Sequence, residues 1–297
     1  MRFKIFITLL FIALAVGLSV VAQMQDEEGV RGAFITSRPA TTSTSSSANS
    51  RAGRRRKKTK SPTGTNANQT SNSKPKSNSN KIVKTSVSGP IGLGYSLYMR
   101  DAHGDAVRVD PSREFRAGDS IRITLESNAD GYLYIFHSEG EGQPEMIYPD
   151  AQLDEGDNEI EAHVPYEVPS SEAQEERLRW FTFDQNPANE HLYIVLTRDP
   201  LPVVPTGEEL VAYCRNTQGG CPWHPTTEMW AQVKESMSAP VAVNKSKSYG
   251  QTQTASEHDA SLRGIGLDRS APAPSVIRMN VSSNTGILVT TLDLIHK

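Results

Sequence analysis

A dense strand-forming run, apolar at successive positions, follows the polar turn at Asp130-Gly-Tyr-Leu-Tyr-Ile-Phe136. Side chains alternate across an extended chain, so Tyr132, Tyr134 and Phe136 share one face and Leu133 and Ile135 the other. A strand apolar on both faces belongs inside a sheet that is covered on both sides. Further strand patterns surround it. Leu93, Tyr95, Leu97 and Met99 alternate with Gly94, Ser96, Tyr98 and Arg100, and Ile121, Ile123 and Leu125 oppose Arg122, Thr124 and Glu126. Both read as strands with one buried face. Shorter strands are predicted around Met146–Tyr148, Ile160–Val164, Leu178–Phe183 and His191–Thr197. Turn chemistry lies at Ala102-His-Gly-Asp105 and Arg116-Ala-Gly-Asp119. Past Pro200 the period becomes helical over Gly207–Arg215, and again from a cap at Thr226 or Thr227 to about Met237. Ile287–Ile295 is a strand in need of a partner, expected to return to the body. The predicted class is mainly β: an antiparallel β-sandwich with one or two short C-terminal helices.

The same pattern divides the chain. Residues 1–22 read as an export signal, with Arg2 and Lys4, the apolar run Ile5–Val16 and the small-residue end Val20-Val21-Ala22. The alternative is an uncleaved membrane anchor, since the run is near the lower length for spanning. Either way the body is expected to be exported, periplasmic or extracellular, and membrane-anchored if the segment is retained. Residues 23–86 form a Ser/Thr/Asn-rich basic linker with almost nothing to bury, predicted to be disordered. Residues 87–237 hold the sandwich and its helical extension. Residues 238–285 read as a flexible insertion and 286–297 as the returning strand.

The formal net charge of −3 hides a split. No Asp or Glu occurs between Glu28 and Asp101, whereas Ile91–Pro200 contains no lysine. The run Arg54, Arg55, Arg56, Lys57 and Lys58 is a candidate contact for an anionic envelope surface. Its plain alternative is a solvated, self-repelling linker. Export argues against nucleic acid as a partner.

Candidate chemistry is sparse. Cys214 and Cys221 are close in sequence, and in an oxidising compartment they read as a disulfide. A metal reading with His224 supplies too few ligands, so neither metal nor cofactor is expected. The seven histidines are scattered, without a local nucleophile–base motif, although triads are defined by geometry and not by sequence order. The carboxylates from Asp150 to Glu161 lack the order of a helical calcium loop and read as a solvated turn. Trp180 and Asp184, opposite the core-facing Phe181 and Phe183, are candidate ligand contacts, with Tyr132 and Tyr134. The plain alternative covers Trp180 with a helix such as Thr227–Met237.

Asp130-Gly-Tyr-Leu-Tyr, Ile147-Tyr-Pro, Val164-Pro165, Phe181-Thr-Phe183 and His191-Leu-Tyr-Ile-Val, with the ending Leu294-Ile-His-Lys297, resemble the bacterial domain of unknown function 4384. The resemblance spans roughly Gly92–Thr197 plus the terminus. It implies an exported bacterial β domain and carries no catalytic residues. The expected function is therefore non-catalytic: an exported β-sandwich module that binds an unidentified protein or polymer at the bacterial cell envelope. The alternative is a hydrolase or metal-dependent enzyme whose site assembles only in three dimensions.

Overall fold

The computed structural model describes residues 28–40, 89–152, 155–217, 221–282 and 286–297. Residues 1–22, read above as an export signal, and the basic run Arg54–Lys58 lie outside the described residues.

Two sheets pack face to face. The first has the strand order β11-β12-β1-β4-β8, where β1 is Gly92–Arg100, β4 Ser120–Ser127, β8 Pro165–Val168, β11 Val241–Lys245 and β12 Val276–Asn280. Two short strands, β2 (Ala106–Val109) and β9 (Phe181–Thr182), add to β1 and β4. The second has the order β3-β13-β10-β5-β6, with β3 Glu114–Phe115, β5 Gly131–Glu139, β6 Glu145–Tyr148, β10 Asn189–Thr197 and β13 Ile287–His296. The short β7 (Glu159–Ile160) joins β5. All pairings are antiparallel except β3 with β13.

The strand predicted to be central is β5. Leu133 and Ile135 enter the core between the sheets with Leu93, Leu97, Ile123, Leu125, Ile194 and Leu292. Tyr134 and Phe136 enter a second core beneath α2 (Gly207–Arg215) and α3 (Thr227–Met237), formed with Val195, Leu210, Met229 and Val233. Thr226 caps α3 by accepting from Met229 N, as the sequence suggests. Gly131, at the start of β5, is required by proximity: a Cβ there would lie 2.2 Å from Thr197 O of the neighbouring strand. The returning strand β13 pairs along its length with β10.

Several expectations fail for physical reasons. Residues 28–37, placed in the disordered linker, form a helix (α1) whose Val30 and Phe34 pack on Ile277 and Met279 of β12. Two apolar residues four apart suffice once a sheet offers them a surface. Residues 238–285, read as a flexible insertion, contain β11, β12 and α4 (Ala255–Arg263) among their described residues. The apolar set in β12, Val276, Ile277 and Met279, is hidden in the sequence by surrounding Ser, Pro and Asn. Thr254 and Glu257 close α4 with a reciprocal capping box. The second face of β1 is also buried, because Gly94 and Tyr98 lie under α1, Pro274 and α4. Near Leu178–Phe183 a 3-10 turn, Glu176–Arg179, precedes the two-residue β9. Ile160–Val164 splits between β7 and the approach to β8.

Candidate functional site

On one side of the sandwich the sheets do not close. The end strands β6 and β8, with β9 beside them, leave a cleft of about 250 Å³. Its apolar lining includes Ile147, Val168 and Phe181, and its acidic lining residues are Glu145, Asp150 and Glu167. Cys221 and Pro222 supply one wall. That wall is fixed by the Cys214–Cys221 disulfide and by Met146 N, which donates to Trp223 O at 2.8 Å. The covalent link thus holds the end of α2 to the segment that shields β6. Among the described residues no strand pairs the outer side of β8, which leaves an edge open to strand addition.

Glu167 lines the cleft with its strand, but its carboxylate turns to the outer face of the first sheet, where its partners hold it ionised. Burial alone would raise its carboxyl, but hydrogen bonds from Ser171 Oγ and Gln253 Nε2, with Arg122 and His258 nearby, take it below the usual carboxylate range. Arg122 itself donates to Arg179 O through Nε and a terminal nitrogen, and its guanidinium lies 4.1 Å from the centre of the Trp180 ring. Trp180 is thus covered on one side by Arg122, not by α3, and stays half-exposed. Phe181 and Phe183 do face the core, as the alternation requires.

Asp184 is exposed and closes its own turn by accepting from Asn186 N and Nδ2, which holds its carboxyl below the ordinary value. Tyr132 and Tyr134 stand elsewhere, on the face of β5 beneath α2 and α3. Tyr134 is fully buried, and its hydroxyl accepts from Leu201 N at 2.9 Å. It cannot touch a ligand, which corrects the sequence-based candidate. The four aromatic and acidic candidates therefore do not converge. Asp150 and Asp157 accept from backbone amides two residues on, at Gln152 and Glu159.

A second set of polar groups lies on the outer face of the first sheet. Arg38, just past α1, is fully buried, and all five of its N–H groups are engaged. Two go to Glu126 Oε1 and Oε2 at 2.8 and 2.6 Å, and three to the carbonyls of Asp268, Ala271 and Pro272. Glu126 Oε1 also lies 2.8 Å from His163 Nδ1, and His163 Nε2 lies 3.0 Å from Ser37 Oγ. His163 sits at φ 61°, a left-handed conformation fixed by its own backbone bonds to Ser127 and Leu267. Beside this set, Arg108 joins Tyr98 Oη and Glu257. Burial pushes the Tyr98 phenol up to about 12 against the pull of Arg108. The sequence signal for this layer is Arg122 and Glu126 on an otherwise core-forming strand; their partners come from segments far away in the chain.

Residues 114–200 match the family model described as Domain of unknown function (DUF4384). The match begins at β3 and ends just past β10, so it includes Glu126, His163 and Glu167 and leaves out β1, β13 and the α1 segment. The resemblance read from the sequence is thus supported over a shorter span than Gly92–Thr197 with the terminus. Comparison with curated proteins and with solved structures gives no match.

Proposed function

We propose that this chain is an exported β-sandwich module that binds an extended, positively charged segment of a protein or polymer at the bacterial cell envelope, through the cleft between β6 and β8. The observation that carries this reading is the pairing of an apolar strip, Ile147 and Phe181, with Glu145 and Asp150 beside a strand edge that is unpaired among the described residues. Edge addition supplies main-chain hydrogen bonds, while pockets for alternate side chains supply selectivity. Carboxylates at the rim favour a cationic partner and speed its approach. The leader and the disulfide fit an oxidising compartment. In the same reading, the basic run Arg54–Lys58 contacts an anionic surface. Deleting residues 51–84 should then abolish binding to anionic vesicles and leave the melting temperature unchanged.

The cleft is tested by fluorescence anisotropy of two labelled peptides, one alternating lysine with valine and one alternating glutamate with valine. The lysine peptide should bind the full chain, more weakly as salt rises. Glu145→Gln with Asp150→Asn should weaken it about tenfold or more, the range expected for charge pairs at a partly desolvated site. Equal binding of both peptides, or indifference to the double variant, would overturn the reading.

A further inference from the structure

The Ser37, His163 and Glu126 side chains have a relation that neither the binding cleft nor the packing of α1 uses. Glu126 is paired with Arg38 and is a carboxylate, so toward His163 it can only accept. In the neutral ring the proton then lies on His163 Nδ1, and Nε2 presents its lone pair toward Ser37 Oγ at 3.0 Å. The imidazole is held on its other sides as well: Phe34 meets it edge-on with ring centres 5.7 Å apart, and its side chain is only 6 % exposed. Ser37, by contrast, is exposed. A buried, oriented base thus faces the hydroxyl of an exposed residue.

From this geometry we propose that Ser37 is a nucleophile toward unhindered carboxylic esters, with His163 as general base and Glu126 as the group that orients the imidazole. The arrangement has the roles of a serine triad, which recurs on unrelated folds and in any chain order. The hydroxyl proton has two acceptors in reach, Phe34 O at 2.6 Å and His163 Nε2. Turning from the first to the second frees the oxygen lone pair for attack. The Ser37 Oγ–acyl carbon bond forms as the proton passes to His163 Nε2. The ester C–O bond then breaks and the departing alkoxide takes that proton, leaving as the alcohol. A water molecule, deprotonated by the same imidazole, adds to the acyl-serine, which releases the carboxylic acid and restores the hydroxyl.

Charge on the acyl oxygen has a counterpart close by. Arg269 donates through Nε to Arg38 O at 3.0 Å and through a terminal nitrogen to Thr36 O at 2.7 Å, the two carbonyls that flank Ser37. Its other N–H groups have no protein partner among the described residues, and the proposal assigns them to the developing oxyanion, a role that donors at such sites commonly fill. Ser37 is itself exposed, and an unhindered ester is the substrate that can approach without displacing the packed groups around it. This proposal is independent of the cleft: it uses none of the cleft residues.

The test uses the full chain and a fluorophosphonate probe. Attack by Ser37 Oγ on phosphorus would expel fluoride, with the proton passing to His163, and leave a stable adduct that peptide mass mapping places. Native protein should be labelled at Ser37, and the label should be absent from Ser37→Ala and from urea-unfolded chain. Since base removal commonly slows such chemistry about 10²- to 10⁴-fold, His163→Asn should label at least 100-fold more slowly. Asparagine tolerates the left-handed backbone at this position better than most residues. The exposed Arg269→Ala variant, which spares the buried groups, should slow hydrolysis of p-nitrophenyl acetate about tenfold or more. Native protein with Ser37 unmodified would overturn the proposal, as would equal labelling of native and unfolded chain. Hydrolysis of the ester at one rate by folded Arg269→Ala and wild type would overturn it too.

Discussion

Replacing Arg38 by alanine tests whether the outer face of the first sheet is held together by charge. The change leaves Glu126, whose side chain is 3 % exposed, with His163 as its remaining side-chain hydrogen-bond partner among the described residues. It also removes the donors from three carbonyls of the 268–272 segment. Breaking a buried pair by removing one partner costs about 3–5 kcal/mol, because the other charge stays desolvated. A ceiling applies, since α1 can detach and let water reach Glu126. Detachment exposes Val30 and Phe34, each worth about 1.5–3 kcal/mol when fully buried, so the escape route has a similar cost. A loss of about 4 kcal/mol follows. In a domain of 150–250 residues this corresponds to roughly 8–16 °C in melting temperature. Urea unfolding with linear extrapolation measures it. The double variant Arg38→Met with Glu126→Gln should lose clearly less than Arg38→Ala, because no buried charge is stranded. A loss under about 1 kcal/mol for the single variant, or a double variant as damaged as the single, would refute this account.

Other perturbations read other parts of the molecule. Gly131→Ala places a Cβ 2.2 Å from Thr197 O, and the forced separation of β5 from β10 should cost about 1–3 kcal/mol or more by urea unfolding. Glu167 has a folded-state pKa below its usual value near 4.5, so the unfolded chain binds the proton more readily. Its stabilising contribution is complete above that usual value and is lost as the pH falls through the depressed one. Glu167→Gln should therefore flatten the acid limb of the urea midpoint between about pH 5 and 3. Replacing Cys214 and Cys221 together by serine opens a loop with a sequence separation of 7. A loss of about 2–3 kcal/mol in non-reducing buffer is expected, together with loss of the cleft wall formed by Cys221 and Pro222.

The sandwich is legible where apolar alternation is strong and local. The two apolar faces of β5 announce two cores, and both exist. The Thr226 cap announces α3, and the apolar run at Ile287–Ile295 announces the strand that joins β10. The outer covering of the first sheet has no such local signal. Val30 and Phe34 look unremarkable inside a polar segment until β12 provides the complementary surface. Arg38, Ser37, Glu126 and His163 come from three separated parts of the chain, and their meeting depends on tertiary register, with no local spacing to mark it. Tyr134 shows the opposite error. On a strand face a tyrosine suggests a ligand contact, yet here its hydroxyl is satisfied inside the fold by Leu201 N.

The place of β13 has a consequence for how the protein is made. This strand follows every other strand in sequence, yet it sits between β10 and β3 and not at a margin of its sheet. A nascent chain that lacks it has β10 with one side unpaired, and β3 has no neighbour in that sheet. The second sheet therefore cannot be completed until β13 arrives. The same delay exposes sheet edges to other chains, so yield should depend on what shields the waiting strands.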